Sequence, residues 1–212
     1  MGVTKISGFG RYLGLPEFVG RSKYNAFSYL HHRVSQKLQS WYSHFLSPAG
    51  KEVLIKAVAT ALPSYFMSCF MLPIKLIKEI TSVIRKFWWA STQHHNKISW
   101  VAWSKINDTK KMGGLGVRDL KDFNLAMIAK QSWRLLQQPH SLLARLYKAK
   151  YYPHSSLLEA GVKWQSSHAW RSIMQGNTLL ADGLKWVVGN GQRKNIWQDK
   201  WLPSNPPRAP KR

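Results

Sequence analysis

Residues Lys23 to Phe45, KYNAFSYLHHRVSQKLQSWYSHF, set Phe27, Leu30, Val34, Leu38, Trp41 and Phe45 three or four positions apart. That spacing puts all of them on one stripe of an α-helix, which must be buried against a partner surface. His32, Gln36 and Gln39 fall away from the stripe. Arg33 and Lys37 lie on its flank, where their stems can cover apolar surface while their charges stay in water. A helix of this kind needs other helices to pack on, and the neighbouring sequence supplies them.

Ser47-Pro48 pairs a capping residue with proline at the first helical position, opening a helix through Val53, Leu54, Ala57 and Val58. The run from Ala57 to Ile74 carries no charge and approaches the ~20 apolar residues of a membrane span. Pro63 and Pro73 divide it, and Thr60, Ser64 and Ser68 thin its hydrophobicity, so it reads as two buried helical segments of a bundle with no membrane partner. Pro73 suits the first turn of a third helix that points Ile77, Ile80, Ile84 and Phe87 inward and keeps Lys75, Lys78, Arg85 and Lys86 on other faces.

The pattern breaks at His94 to Lys97, which places a division near residue 95. Beyond it Ser99 can cap a short helix through Trp100, Trp103 and Ile106, and Gly113, Gly114 and Gly116 mark a turn. Asp119 can then cap a helix to Gln137 that is apolar on most sides and therefore central. Shorter helices follow over Ser141 to Tyr151 and Ala169 to Leu180, and Trp133 and Trp170 read as core residues. Asn190-Gly191 sits between β-prone runs in Trp186 to Trp197 and predicts a hairpin. The expected architecture is mainly α: a helical bundle over 1–95, a second helical region with a small C-terminal β-hairpin over 96–203, and a disordered, proline-rich tail over 204–212.

Composition narrows the function. Thirty-two Lys and Arg face nine Asp and Glu, a formal charge of +23 over 212 residues. An ordinary solubilising surface mixes both signs, so an excess this large points to a polyanionic partner, with nucleic acid first. Basic residues recur on helix flanks: Arg33 and Lys37, Lys51 and Lys56, and Lys130 and Arg134, with Arg145, Lys148 and Lys150 clustered further on. With Arg171, these are the candidate phosphate contacts.

Catalytic signals are missing. Metal-assisted phosphoryl transfer needs converging carboxylates, and the close pair here, Asp119 and Asp122, is already explained by a helix start. His31-His32 and His94-His95 are adjacent and diverge on a helix, and Cys69 is the single cysteine, so no zinc cage is spaced in the chain. Gly113 to Gly116 lacks the Lys-Ser/Thr of a phosphate loop. No catalytic residue, metal ligand or cofactor site is expected. The lack of cysteine pairs and of a secretory signal argues against secretion.

The blocks Arg11-Tyr12-Leu13-Gly14-Leu15-Pro16, Leu46-Ser47-Pro48-Ala49-Gly50-Lys51, Phe87-Trp88-Trp89, Ile98 to Trp103, Gly113 to Leu120, Tyr152-Pro153-His154-Ser155-Ser156 and Trp197 to Leu202 resemble the segment after the palm of plant LINE-type (non-LTR) retrotransposon reverse transcriptases. A plant mitochondrial reading frame of the same origin is similar from about Ala61 onward. The resemblance implies that 1–95 is a thumb-like bundle and the remainder a connecting region. It also implies that the parent activity is RNA-directed DNA polymerase, whose palm aspartates have no counterpart here. The expectation is a non-catalytic piece of a transposable element that binds RNA, DNA or their hybrid, working beside other modules of a reverse transcriptase in the nucleus or a mitochondrion. The alternatives are the family's own activity, RNA-directed DNA polymerase, and a decayed reading frame without a role.

Overall fold

In the computed structural model, which describes residues 11–16, 19–20, 22–42, 46–90, 98–184 and the positions 195, 197, 200–202, 204 and 208–210, the chain is mainly α-helical. Its contacts divide it into two compact units, Met1–Asn124 and Leu125–Arg212.

The first unit begins with a two-stranded antiparallel hairpin, β1 (Arg11–Tyr12) and β2 (Leu15–Pro16). The predicted stripe forms α1 (Lys23–Phe27) and α2 (Tyr29–Gln39), and Phe27, Leu30, Val34 and Leu38 are all buried. The helix stops earlier than the spacing suggests. Ser40 donates its N–H to Gln36 O, and Trp41 packs half-buried from the turn beyond, its ring 6.1 Å from Phe87. Phe45 lies outside the described residues.

Ser47 caps α3 (Pro48–Leu54) by accepting from Gly50 N at 3.2 Å, as its sequence predicts. The chain then widens into a π-helical turn, Ile55–Ala59, before α4 (Ser64–Cys69). Pro73 sits just before α5 (Ile74–Trp89), which buries Leu76, Ile77, Ile80, Ile84 and Phe87 against α2. Among the described residues no helix is long and apolar enough to cross a membrane.

The division of contacts lies further along than residue 95. α6 (Trp103–Asn107) buries Ile106, and Val117 and Leu120 join the same core. Between them the glycine turn folds back through Leu115 N to Ile106 O at 2.9 Å and Gly116 N to Asp108 O at 2.8 Å. Gly113 takes φ +82°, and a Cβ on Gly114 would stand 2.1 Å from Asp108 O, so this turn excludes larger residues at both positions. α7 (Leu120–Gln137) starts under Asp119, whose Oδ1 accepts from Lys121 N and Asp122 N at 2.8 and 3.1 Å.

One buried side chain ties this unit together. Asn124 accepts from Leu72 N at 2.8 Å and donates to Met67 O and Phe70 O, both at 2.9 Å, and so satisfies the backbone between α4 and α5. Buried backbone groups of that connection would otherwise lack partners.

In the second unit, the later turns of α7 are followed by α8 (Leu142–Tyr151), capped by Ser141, and α9 (His168–Gly183), capped by Ser167. Trp170 is fully buried. Tyr151 stacks on it at 4.5 Å and Tyr152 at 5.6 Å, with Tyr147 tilted at 5.4 Å. Gly176 lets α9 approach α7, since a Cβ there would stand 2.6 Å from Ala129 N. Trp133, expected in the core, is 42% exposed on the outer face of α7. Most of the expected hairpin over 186–197 and most of the tail over 204–212 lie outside the described residues.

Candidate nucleic-acid interface

The ten candidate cations separate by what holds them. Lys51 reaches the end of α5: its Nζ donates to Trp88 O at 3.3 Å and to Ala90 O, and lies 5.8 Å from the Phe87 ring. A cation there answers the negative end of a helix and its unpaired carbonyls. Lys56 donates to Glu52 Oε1 at 2.8 Å and to Leu115 O, tying the π-turn to the glycine turn. Glu52 also pairs with Lys110 at 2.9 Å, and the hydrogen bonds from Lys56 and then Lys110 hold its carboxyl below the usual carboxylate range. Arg171 is a clamp as well, donating from Nη2 to Trp164 O at 2.7 Å and from Nε to Ser166 O at 3.1 Å.

The other seven are exposed: Arg33 and Lys37 on α2, Lys130 and Arg134 on α7, and Arg145, Lys148 and Lys150 on α8. Arg33 and Lys37 share a face of the first unit, with Lys37 Nζ 5.8 Å from the Trp41 ring. In the second unit Arg145 and Lys148 are one helical turn apart, as are Lys130 and Arg134. Such rows can follow a phosphate backbone without reading bases.

The structure adds a group that helical spacing did not join. In the first unit Lys78 and Arg85 of α5 and Lys121 at the start of α7 line a groove of about 420 Å³ with Trp103, Ser82 and Asp119. Lys78 and Arg85 are two turns apart on one helix, a signal present in the sequence. Lys121 joins them only because Val117 and Leu120 dock into the same core, which spacing does not reveal.

Among the described residues the ion pairs are Lys56 and Lys110 with Glu52, and Lys105 with Asp108. No group of three or more His, Cys, Asp or Glu that could hold a metal ion occurs among the described residues.

No family model matches the chain, and no solved structure matches it. Over 197 residues, 91% of its length, it is 36% identical to the Arabidopsis thaliana protein named "Putative ribonuclease H protein At1g65750" and spans 32% of that longer protein. Over 151 residues, 71% of its length, it is 48% identical to the Arabidopsis thaliana "Uncharacterized mitochondrial protein AtMg00310" and spans 98% of it. The chain belongs to the same protein family as mitochondrial protein AtMg00310.

Proposed function

We propose that this chain corresponds to the thumb and connecting region of a LINE-type reverse transcriptase lineage, and that these residues hold RNA, DNA or their hybrid by the backbone phosphates without a catalytic step of their own. The observation that carries this reading is the net charge of +23, which would remain even if each of the nine acidic residues were paired with a cation. Neutralising phosphates with these cations releases condensed counterions, a driving force indifferent to sequence. Arg33, Lys37, Lys130, Arg134, Arg145, Lys148 and Lys150 make the contacts. Lys51, Lys56 and Arg171 keep the framework on which those contacts stand. The similarity to a protein named for ribonuclease H supports an origin in a nucleic-acid enzyme, with polymerisation left to other modules.

The test is a mobility-shift assay of the full chain with single-stranded RNA, single-stranded DNA, duplex DNA and an RNA–DNA hybrid in dilute buffer, alongside primer extension with magnesium or manganese. Retention of the probes without sequence preference, and no extended primer, is the expected result. Indifference to every probe would sink the reading, and an extended primer would replace it with a polymerase.

A further inference from the structure

Trp164 is 93% exposed, although a side chain this large is stabilised by leaving water. Its backbone is firmly tied. Trp164 O and Ser166 O accept the two arms of Arg171 at 2.7 and 3.1 Å. Ser166 N donates to Lys163 O at 3.0 Å, and Lys163 N donates to Ser166 Oγ at 2.9 Å, closing the turn on itself. Just upstream, the buried Trp170 donates Nε1–H to Gly161 O at 3.2 Å. The exposed indole is therefore carried by a turn whose backbone is hydrogen-bonded on both sides of it.

Beside it lies a recess of about 400 Å³ lined by Lys150, Tyr151, Lys163, Trp164, Gln165 and Ser166, with two ammonium groups and no carboxylate in the lining. Tyr151 is itself fixed by hydrogen bonds between its phenol and Ser167, at 3.0 Å to Oγ and 3.3 Å from N. Lys150 rides 5.5 Å from the Tyr151 ring.

We propose that Trp164 is a stacking platform for an unpaired nucleobase, with Lys150 and Lys163 meeting the flanking phosphates and Arg171 acting as a positioning residue. This rests on the nucleic-acid reading above and gives it a preference for single strands. An exposed aromatic face with cations at its rim recognises single strands because every base offers a π-face, whereas in a duplex those faces are covered by neighbouring bases. Tryptophan and lysine together also suit a lipid interface. The aromatic faces of Tyr151 and Trp164 beside two ammonium groups, with Gln165 and Ser166 to hydrogen-bond, favour a base and its phosphates.

The experiment compares the full wild-type chain with Trp164→Ala and Trp164→Phe, whose folding is checked by circular dichroism. Anisotropy is read with a single-stranded oligonucleotide, the same strand with abasic sites, and a duplex of equal length. Trp164→Ala is expected to weaken single-strand binding about tenfold and duplex binding less than about twofold, with Trp164→Phe recovering most of the loss. The abasic strand should respond little to either change. Equal losses on single strand and duplex, or no loss on the single strand, would overturn the assignment while leaving general binding intact. Loss of sedimentation with phosphatidylserine vesicles in Trp164→Ala, with single-strand binding unchanged, would overturn it in favour of a membrane contact. If the wild type binds neither oligonucleotide, the nucleic-acid reading itself has failed.

Discussion

The two units reach stability by different routes. The first spreads its core over aliphatic side chains of α2, α5 and neighbouring helices and pins one connection with Asn124. The second concentrates its core on one indole, with Tyr151 and Tyr152 stacked against Trp170. A distributed core loses little with any one side chain. A concentrated core depends on its central residue.

The sharpest way to break that contrast is Trp170→Ala, which should cost about 3–5 kcal/mol and abolish the near-ultraviolet circular dichroism of the stacked aromatics. Asn124→Ala comes next, at about 2–4 kcal/mol in urea denaturation, because Leu72 N–H and the Met67 and Phe70 carbonyls lose their partner in a buried place. Ile80→Val, equally buried but in the distributed core, should cost only about 1 kcal/mol by the same measurement. Retention of the near-ultraviolet signal in Trp170→Ala, or its loss in Ile80→Val, would break the contrast.

The smallest effect concerns pH. Lys56 and Lys110 lower the Glu52 pKa in the folded chain, so the unfolded chain takes up the proton first as pH falls. The stabilisation is complete above the ordinary carboxylate pKa of 4.5 and is lost as pH drops through the lower folded value. Glu52→Gln should flatten that part of the acid limb of a stability–pH profile and leave stability nearly independent of pH there. An unchanged profile would show that the pair of lysines does not hold this carboxylate.

The same contrast explains what could be read in advance. Phe27, Leu30, Val34 and Leu38, and Ile77, Ile80, Ile84 and Phe87, are legible because helical spacing is local information, and the capping roles of Ser47 and Asp119 are local too. Trp170 is legible as a core residue, but its stacking on Tyr151 and Tyr152 is not, since the partners meet across a long loop. The contact boundary after Asn124 is not legible for the same reason: Ile106, Val117 and Leu120 join the first core through tertiary contacts. Trp133 was assigned to the core from its type, yet it faces outward, while the exposed Trp164 drew no attention because its setting depends on the Arg171 clamp. Among the candidate cations, sequence could show charge and spacing but not that Lys51, Lys56 and Arg171 already have carbonyl or carboxylate partners.

The most direct test of the central claim is the salt dependence of binding. The dissociation constant of the full chain for an RNA–DNA hybrid is measured from 50 to 200 mM salt, beside a variant with Arg33, Lys37, Lys130, Arg134, Arg145 and Lys148 changed to Gln. The account predicts a fall in wild-type affinity of about 1000-fold or more over that range and a clearly shallower slope in the variant. A wild-type affinity that ignores salt, or a slope the variant leaves unchanged, would contradict it.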